Sequence, residues 1–204
     1  MMRFLDFLFP PRVDEITLRG VSADDFLALI APRLVPATRP STVALLPFNN
    51  PGVRAALHEA KYHGSERAFG LLALALAEYL RDADDGFRKP IIVPVPLGAA
   101  RRKERGFNQV EEVVCRALRS FDTQFILEVN LLKRVKETQT QVSLEKRKRE
   151  ENMRGAFRVT RPTDSVRTYI VVDDVITTGA TLQATIDVLK NSGATHIIPL
   201  ALAH

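Results

Sequence analysis

Cysteine is nearly missing from this chain of 204 residues: Cys115 stands alone, so no internal disulfide can form. It falls within an amphipathic helical pattern, where a thiol is expected as a small buried hydrophobe and not as a nucleophile. Such usage fits a reducing, cytoplasmic compartment. Long apolar runs are missing too. The segment Phe4–Phe9 is apolar but short, contains Asp6 and runs into Pro10 and Pro11, so it reads neither as a signal segment nor as a membrane span. No internal repeat, no low-complexity tract and no separate metal-binding cluster stands out. These absences exclude a disulfide-stapled secreted module, a solenoid and a membrane-anchored chain.

What is present is 46% hydrophobic residues, enough for one α/β core and a small appendage. The formal charge of +5 favours an anionic partner, either a phosphosugar or a nucleic acid. Nine basic residues against four acidic ones lie between Lys133 and Arg158, an excess as large as that of the whole chain.

The first forty residues hold five prolines around one short helix expected from Ser22 to Ile30, with Ser22 as its N-cap. We read 1–41 as an arm and 42–204 as the catalytic-size domain. Apolar residues at helical spacing predict helices from Pro51 to Tyr62 and from Glu66 to Arg81, separated by His63-Gly64-Ser65. Ile91–Val93 reads as a strand stopped by Pro94 and Pro96. A further helix is expected from about Asn108 to Leu118, then a strand over Val129–Leu132. Some twenty polar residues follow and read as a long flexible loop. The strand Tyr169–Asp173, a helix marked by Leu182, Ile186 and Leu189, and a last strand His196–Leu202 complete the chain. Strands alternating with helices predict a mainly parallel sheet covered on both faces, its ligand site beyond the carboxyl ends of the strands.

One run carries the chemistry. After four apolar residues come Asp173, Asp174, Val175, Ile176, Thr177, Thr178, Gly179, Ala180 and Thr181. A helix N-terminus offers amides and the positive end of a dipole, and threonine hydroxyls add donors, so the turn is suited to a phosphomonoester. Gly179 would allow close approach of the backbone. Two carboxylates would repel the phosphate itself but suit the vicinal hydroxyls of a ribose beside it.

This pattern, Asp-Asp-x-x-Thr-Thr-Gly-x-Thr, closely resembles the signature with which type I phosphoribosyltransferases bind 5-phosphoribosyl 1-pyrophosphate (PRPP). The resemblance implies a parallel sheet of about five strands with helices on both faces, and Mg²⁺ carried mainly by the substrate's own oxygens. It places Asp173 and Asp174 at the ribose hydroxyls and Val175 and Thr177–Thr181 around the 5-phosphate. Three more segments are similar to the ComF competence-protein family. They are Lys61-Tyr62-His63-Gly64, then Val93–Leu97 with Arg101 and Arg105–Gln109, and finally Arg134, Thr138, Gln141, Leu144, Arg149, Asn152 and Gly155–Phe157. With the signature they span roughly 43–203.

By that resemblance Val95, Pro96 and Leu97 would meet pyrophosphate through backbone amides, with Arg101 adding charge. The basic loop containing Arg134, Thr138, Gln141, Arg149 and Asn152 would close over PRPP, and Arg134 and Arg149 would stabilise the leaving group. One departure stands out. The family usually carries a four-cysteine zinc module after a Phe-Pro-Pro such as Phe9-Pro10-Pro11, and this chain has no cysteine before Cys115, so no thiolate zinc site is expected. Two functions follow: transfer of phosphoribosyl to a nitrogen acceptor with release of pyrophosphate, or a PRPP-responsive module that binds single-stranded DNA during uptake. The basic stretch has few aromatics to stack on bases, which weakens the second.

Overall fold

The computed structural model describes residues 12–82, 89–121, 124–136 and 153–204. Its centre is a six-stranded sheet built from β1 (Arg33–Val35), β2 (Thr42–Leu46), β3 (Ile91–Pro94), β4 (Ile126–Leu127), β7 (Thr168–Val175) and β8 (His196–Ala203). The spatial order is β1-β2-β8-β7-β3-β4, and only the edge pair β1–β2 is antiparallel. A separate antiparallel ribbon pairs β5 (Leu132–Arg134) with β6 (Phe157–Val159).

The middles of the central strands β3, β7 and β8 are continuous apolar runs because both faces are covered. In β7, Ile170 and Val172 point into a core shared with α3 (Pro51–His63), α4 (Glu66–Asp82) and α6 (Gln109–Leu118). Tyr169 and Val171 point the other way, into a second core with the ribbon and with Leu182, Ile186 and Leu189 of α7 (Ala180–Asn191). The alternation is the period-two rule of a strand, with each fully buried aliphatic side chain contributing about 1.5–3 kcal/mol.

The N-terminal region joins this core. Helices α1 (Val13–Arg19) and α2 (Ala23–Leu27) pack on α3 and α4, with Leu18 and Phe26 buried in the first core. Ser22 accepts a hydrogen bond from the Asp25 amide, as expected of its N-cap role, but α2 ends at Leu27, short of Ile30. Two elements depart further from expectation. Val129 and Asn130 form a turn, and the neighbouring strands are β4 before it and β5 after it. The basic run beyond Gly98 is itself a helix, α5 (Ala99–Arg105). Cys115 is half-buried, and burial pushes its thiol pKa up, consistent with an unreactive group. Among the described residues no helix is long and apolar enough to cross a membrane.

Candidate active site

Parallel register brings the site together. Pro94 of β3 lies opposite Val172 of β7, so the turn after β3 emerges beside the acids that end β7. Val95, Pro96, Leu97, Arg101, Arg134, Asp173, Asp174, Val175 and Thr181 line one cleft of about 120 Å³, together with Lys61, Arg105, Gln109 and Val110. An adjoining hollow of about 40 Å³ is formed by Asp173, Val175, Ile176, Thr177, Thr178, Gly179, Ala180, Thr181 and Leu182. The two share Asp173, Val175 and Thr181. Arg149, Thr138, Gln141 and Asn152 lie outside the described residues.

The small hollow is the start of α7. That helix has no side-chain N-cap, and Thr178 Oγ1 is a long 3.5 Å from the Ala180 amide. First-turn amides and threonine hydroxyls therefore converge on a site suited to an anion. Gly179 has φ +76, and a Cβ there would fall 2.6 Å from the Ala37 carbonyl oxygen. The glycine thus serves the turn and its packing against the segment before β2, which sequence reasoning did not anticipate.

The two acids differ. The Asp174 carboxylate accepts hydrogen bonds from the Val175 amide at 2.7 Å and from Gln109 Nε2 at 2.8 Å, and Lys61 Nζ lies 3.9 Å away. Asp173 accepts the Asp174 amide at 2.9 Å. Burial, and then the neighbouring Asp174 charge, push the Asp173 pKa up to about 7 against the pull of that amide, Lys61 and Arg134. Asp173 is thereby poised near neutrality, whereas Asp174 is tied to Gln109 and the Val175 amide.

The turn after β3 is tied on both sides. The Val95 amide donates to Val172 O at 2.8 Å and its carbonyl accepts from Asn108 Nδ2 at 3.0 Å. Pro96 has no amide hydrogen, so of the three turn residues Leu97 is the one left to meet an anion through its N–H. Asn108 also caps α6, its side chain accepting from the Val110 amide at 3.1 Å. Phe107 packs edge-on against Phe69, and Arg105 donates to Gln109 at 3.2 Å while lying over the Tyr62 ring. The run Arg105–Gln109 is therefore the brace between the β3 turn and Asp174.

Lys61, Arg105, Gln109 and Val110 were not among the predicted site residues. The signal for Lys61 was present in the Lys61–Gly64 segment, but its reach to Asp174 depends on how α3 packs. Arg134 lines the cleft from β5, its guanidinium 5.5 Å from the Phe157 ring centre.

A family model described as the phosphoribosyl transferase domain matches residues 65–203. The chain is 35% identical over 152 residues to the DNA utilization protein YhgH of Salmonella typhimurium, covering 71% of this chain and 63% of that one. The Escherichia coli protein of the same name is 36% identical over 148 residues, with the same coverage. The Competence protein F of Haemophilus influenzae is 37% identical over 114 residues, covering 55% of this chain and 49% of that protein. The chain thus spans less than two thirds of the length of these relatives. With the domain model matched from α4 to β8, including the β3 turn and the acidic turn, the chain belongs to the phosphoribosyl transferase domain family, as a ComF-family member of it.

Proposed function

We propose that the chain binds PRPP in this cleft and transfers its phosphoribosyl group to a nitrogen acceptor, releasing pyrophosphate. The observation that carries this reading is the meeting of two different sites at Asp173 and Thr181: an anion-suited helix start on one side, and a cleft with Lys61, Arg101, Arg105 and Arg134 on the other. PRPP has a phosphate at one end of its ribose and a pyrophosphate at the other, so it would span both. The α7 amides with Thr177, Thr178 and Thr181 hold the 5-phosphate. Asp174, and Asp173 once ionised, accept the ribose hydroxyls and fix the sugar. The four basic side chains lie where charge accumulates on the departing pyrophosphate as the bond to the anomeric carbon lengthens.

The hard oxygens of Asp173 and Asp174 also fit Mg²⁺, which takes most of its ligands from phosphates and water. Bound with the substrate, Mg²⁺ would neutralise pyrophosphate charge. Pyrophosphate release measured from PRPP with purines, pyrimidines and amines in turn tests the reading. Release that depends on one acceptor class and disappears in Asp173→Asn/Asp174→Asn supports transfer. PRPP binding without release under any acceptor would reject its catalytic half.

A second reading rests on α5, where Arg101, Arg102, Lys103 and Arg105 sit on seven residues at the edge of the cleft. Together with the names of the relatives, this favours a polyanion, single-stranded DNA, as an alternative partner.

A further inference from the structure

On α3, away from the acidic turn, His58, Glu59 and His63 each offer one donor atom, and these atoms lie within 4.8 Å of one another. Glu59 and His63 are a turn apart, and His63 is the last helical residue before the left-handed Gly64. The Glu59 side chain is 1% exposed, whereas those of His58 and His63 are 49% and 32% exposed and have room to rotate. Two groups from the N-terminal region complete the cluster. Arg12 donates to both Glu59 oxygens, at 2.8 and 2.6 Å, and Asp14 Oδ2 lies 2.9 Å from His58 Nδ1.

A buried carboxylate needs a cation, and here Arg12 supplies it. Arg12 is itself half exposed, so it can release Glu59 without burying its own charge. Two imidazoles and a carboxylate form a nitrogen and oxygen donor set suited to Zn²⁺ and its neighbours among the divalent transition metals. At bond lengths of about 2.1 Å, tetrahedral donors sit roughly 3.4 Å apart, which the two exposed imidazoles reach by closing at most about 1.4 Å. Asp14 is placed to orient the His58 ring, as outer-shell carboxylates do beside metal-bound histidines.

We propose that His58, Glu59 and His63 form a divalent transition-metal site, best fitted to Zn²⁺, in which the ion exchanges with Arg12 for the Glu59 carboxylate. Sequence reading missed it because thiolates are absent and the three donors, two adjacent and the third five positions from the first, match no familiar ligand spacing. The site is distinct from any Mg²⁺ arriving with PRPP. It couples the N-terminal region to the helix that carries Lys61, two residues after Glu59, into the cleft.

Calorimetric titration of Zn²⁺ into the full chain, without a polyhistidine tag, tests this. The expected result is one saturable site that is kept in Asp173→Asn/Asp174→Asn and lost in His58→Gln/His63→Gln. Arg12→Gln should tighten binding, and Asp14→Asn should weaken it about ten-fold or more. Absence of a saturable site, or one that survives His58→Gln/His63→Gln, overturns the proposal. Binding unchanged or weakened by Arg12→Gln overturns the exchange. Imidazole NMR of the wild type gives a readout independent of variant folding. With four histidines in the chain, Zn²⁺ below one equivalent should shift His58 and His63 and leave His196 and His204 in place. The reverse pattern contradicts the assignment.

Discussion

Asp173 sits where its own charge is opposed, by burial first and by Asp174 second, and its pKa is raised from 3.8 to about 7. Between those values the folded chain keeps a proton that the unfolded chain has released. The group therefore lowers stability progressively as pH rises from about 4 to 7. Asp173→Asn keeps the oxygen that accepts the Asp174 amide and removes this cost. Urea denaturation should find the variant more stable than wild type by a few kcal/mol above pH 7, with the difference vanishing near pH 4. A difference independent of pH would contradict the raised value. Gly179 makes a separate test. Its φ of +76 and the 2.6 Å approach to Ala37 O predict that Gly179→Ala costs more than about 2 kcal/mol of stability. A loss well below that would mean the segment at Ala37 yields easily.

The β3 turn, α6 and β7 act as one braced unit through Asn108 and Gln109. Asn108 is 2% exposed and serves both the α6 cap and the Val95 carbonyl. Asn108→Ala should cost about 2 kcal/mol, combining a lost cap with an unsatisfied carbonyl. It should also weaken pyrophosphate binding, because the Val95–Leu97 turn loses its tether. Pyrophosphate affinity unchanged in a folded variant would show that the turn holds its shape alone.

Elements with a strong period were legible in the sequence: α3, α4, α6, β7, α7 and β8 lie within a few residues of expectation. Those fixed by tertiary pairing were not. β4 has two residues and exists by pairing with β3, and β5 exists by pairing with β6. α1 and α5 are seven residues each, so their helical form leaves too short a pattern to read. The site divides in the same way. The acidic turn was legible because one continuous segment supplies it, whereas Lys61 and Gln109 reach Asp174 from other helices.

Across the whole molecule, an excess of five positive charges predicts attraction to any polyanion, and its placement decides what that attraction means. Single-stranded DNA affinity should fall steeply with salt if DNA is a partner. Replacing Arg147, Lys148 and Arg149 together by Ser should weaken DNA binding clearly but modestly, since the four basic residues of α5 remain. Fluorescence anisotropy against DNA, beside calorimetry against PRPP, separates the outcomes. Loss of DNA binding alone assigns the cluster to DNA, loss of both indicates a shared anion site, and equal DNA binding at every salt concentration rejects its role. The central claim, that the cleft and the helix start together hold PRPP, is tested most directly by calorimetry of PRPP with Mg²⁺ on wild type and on Asp173→Asn/Asp174→Asn. Wild type should bind with micromolar or tighter affinity and the double variant far more weakly, while equal affinity in the two proteins would contradict the site.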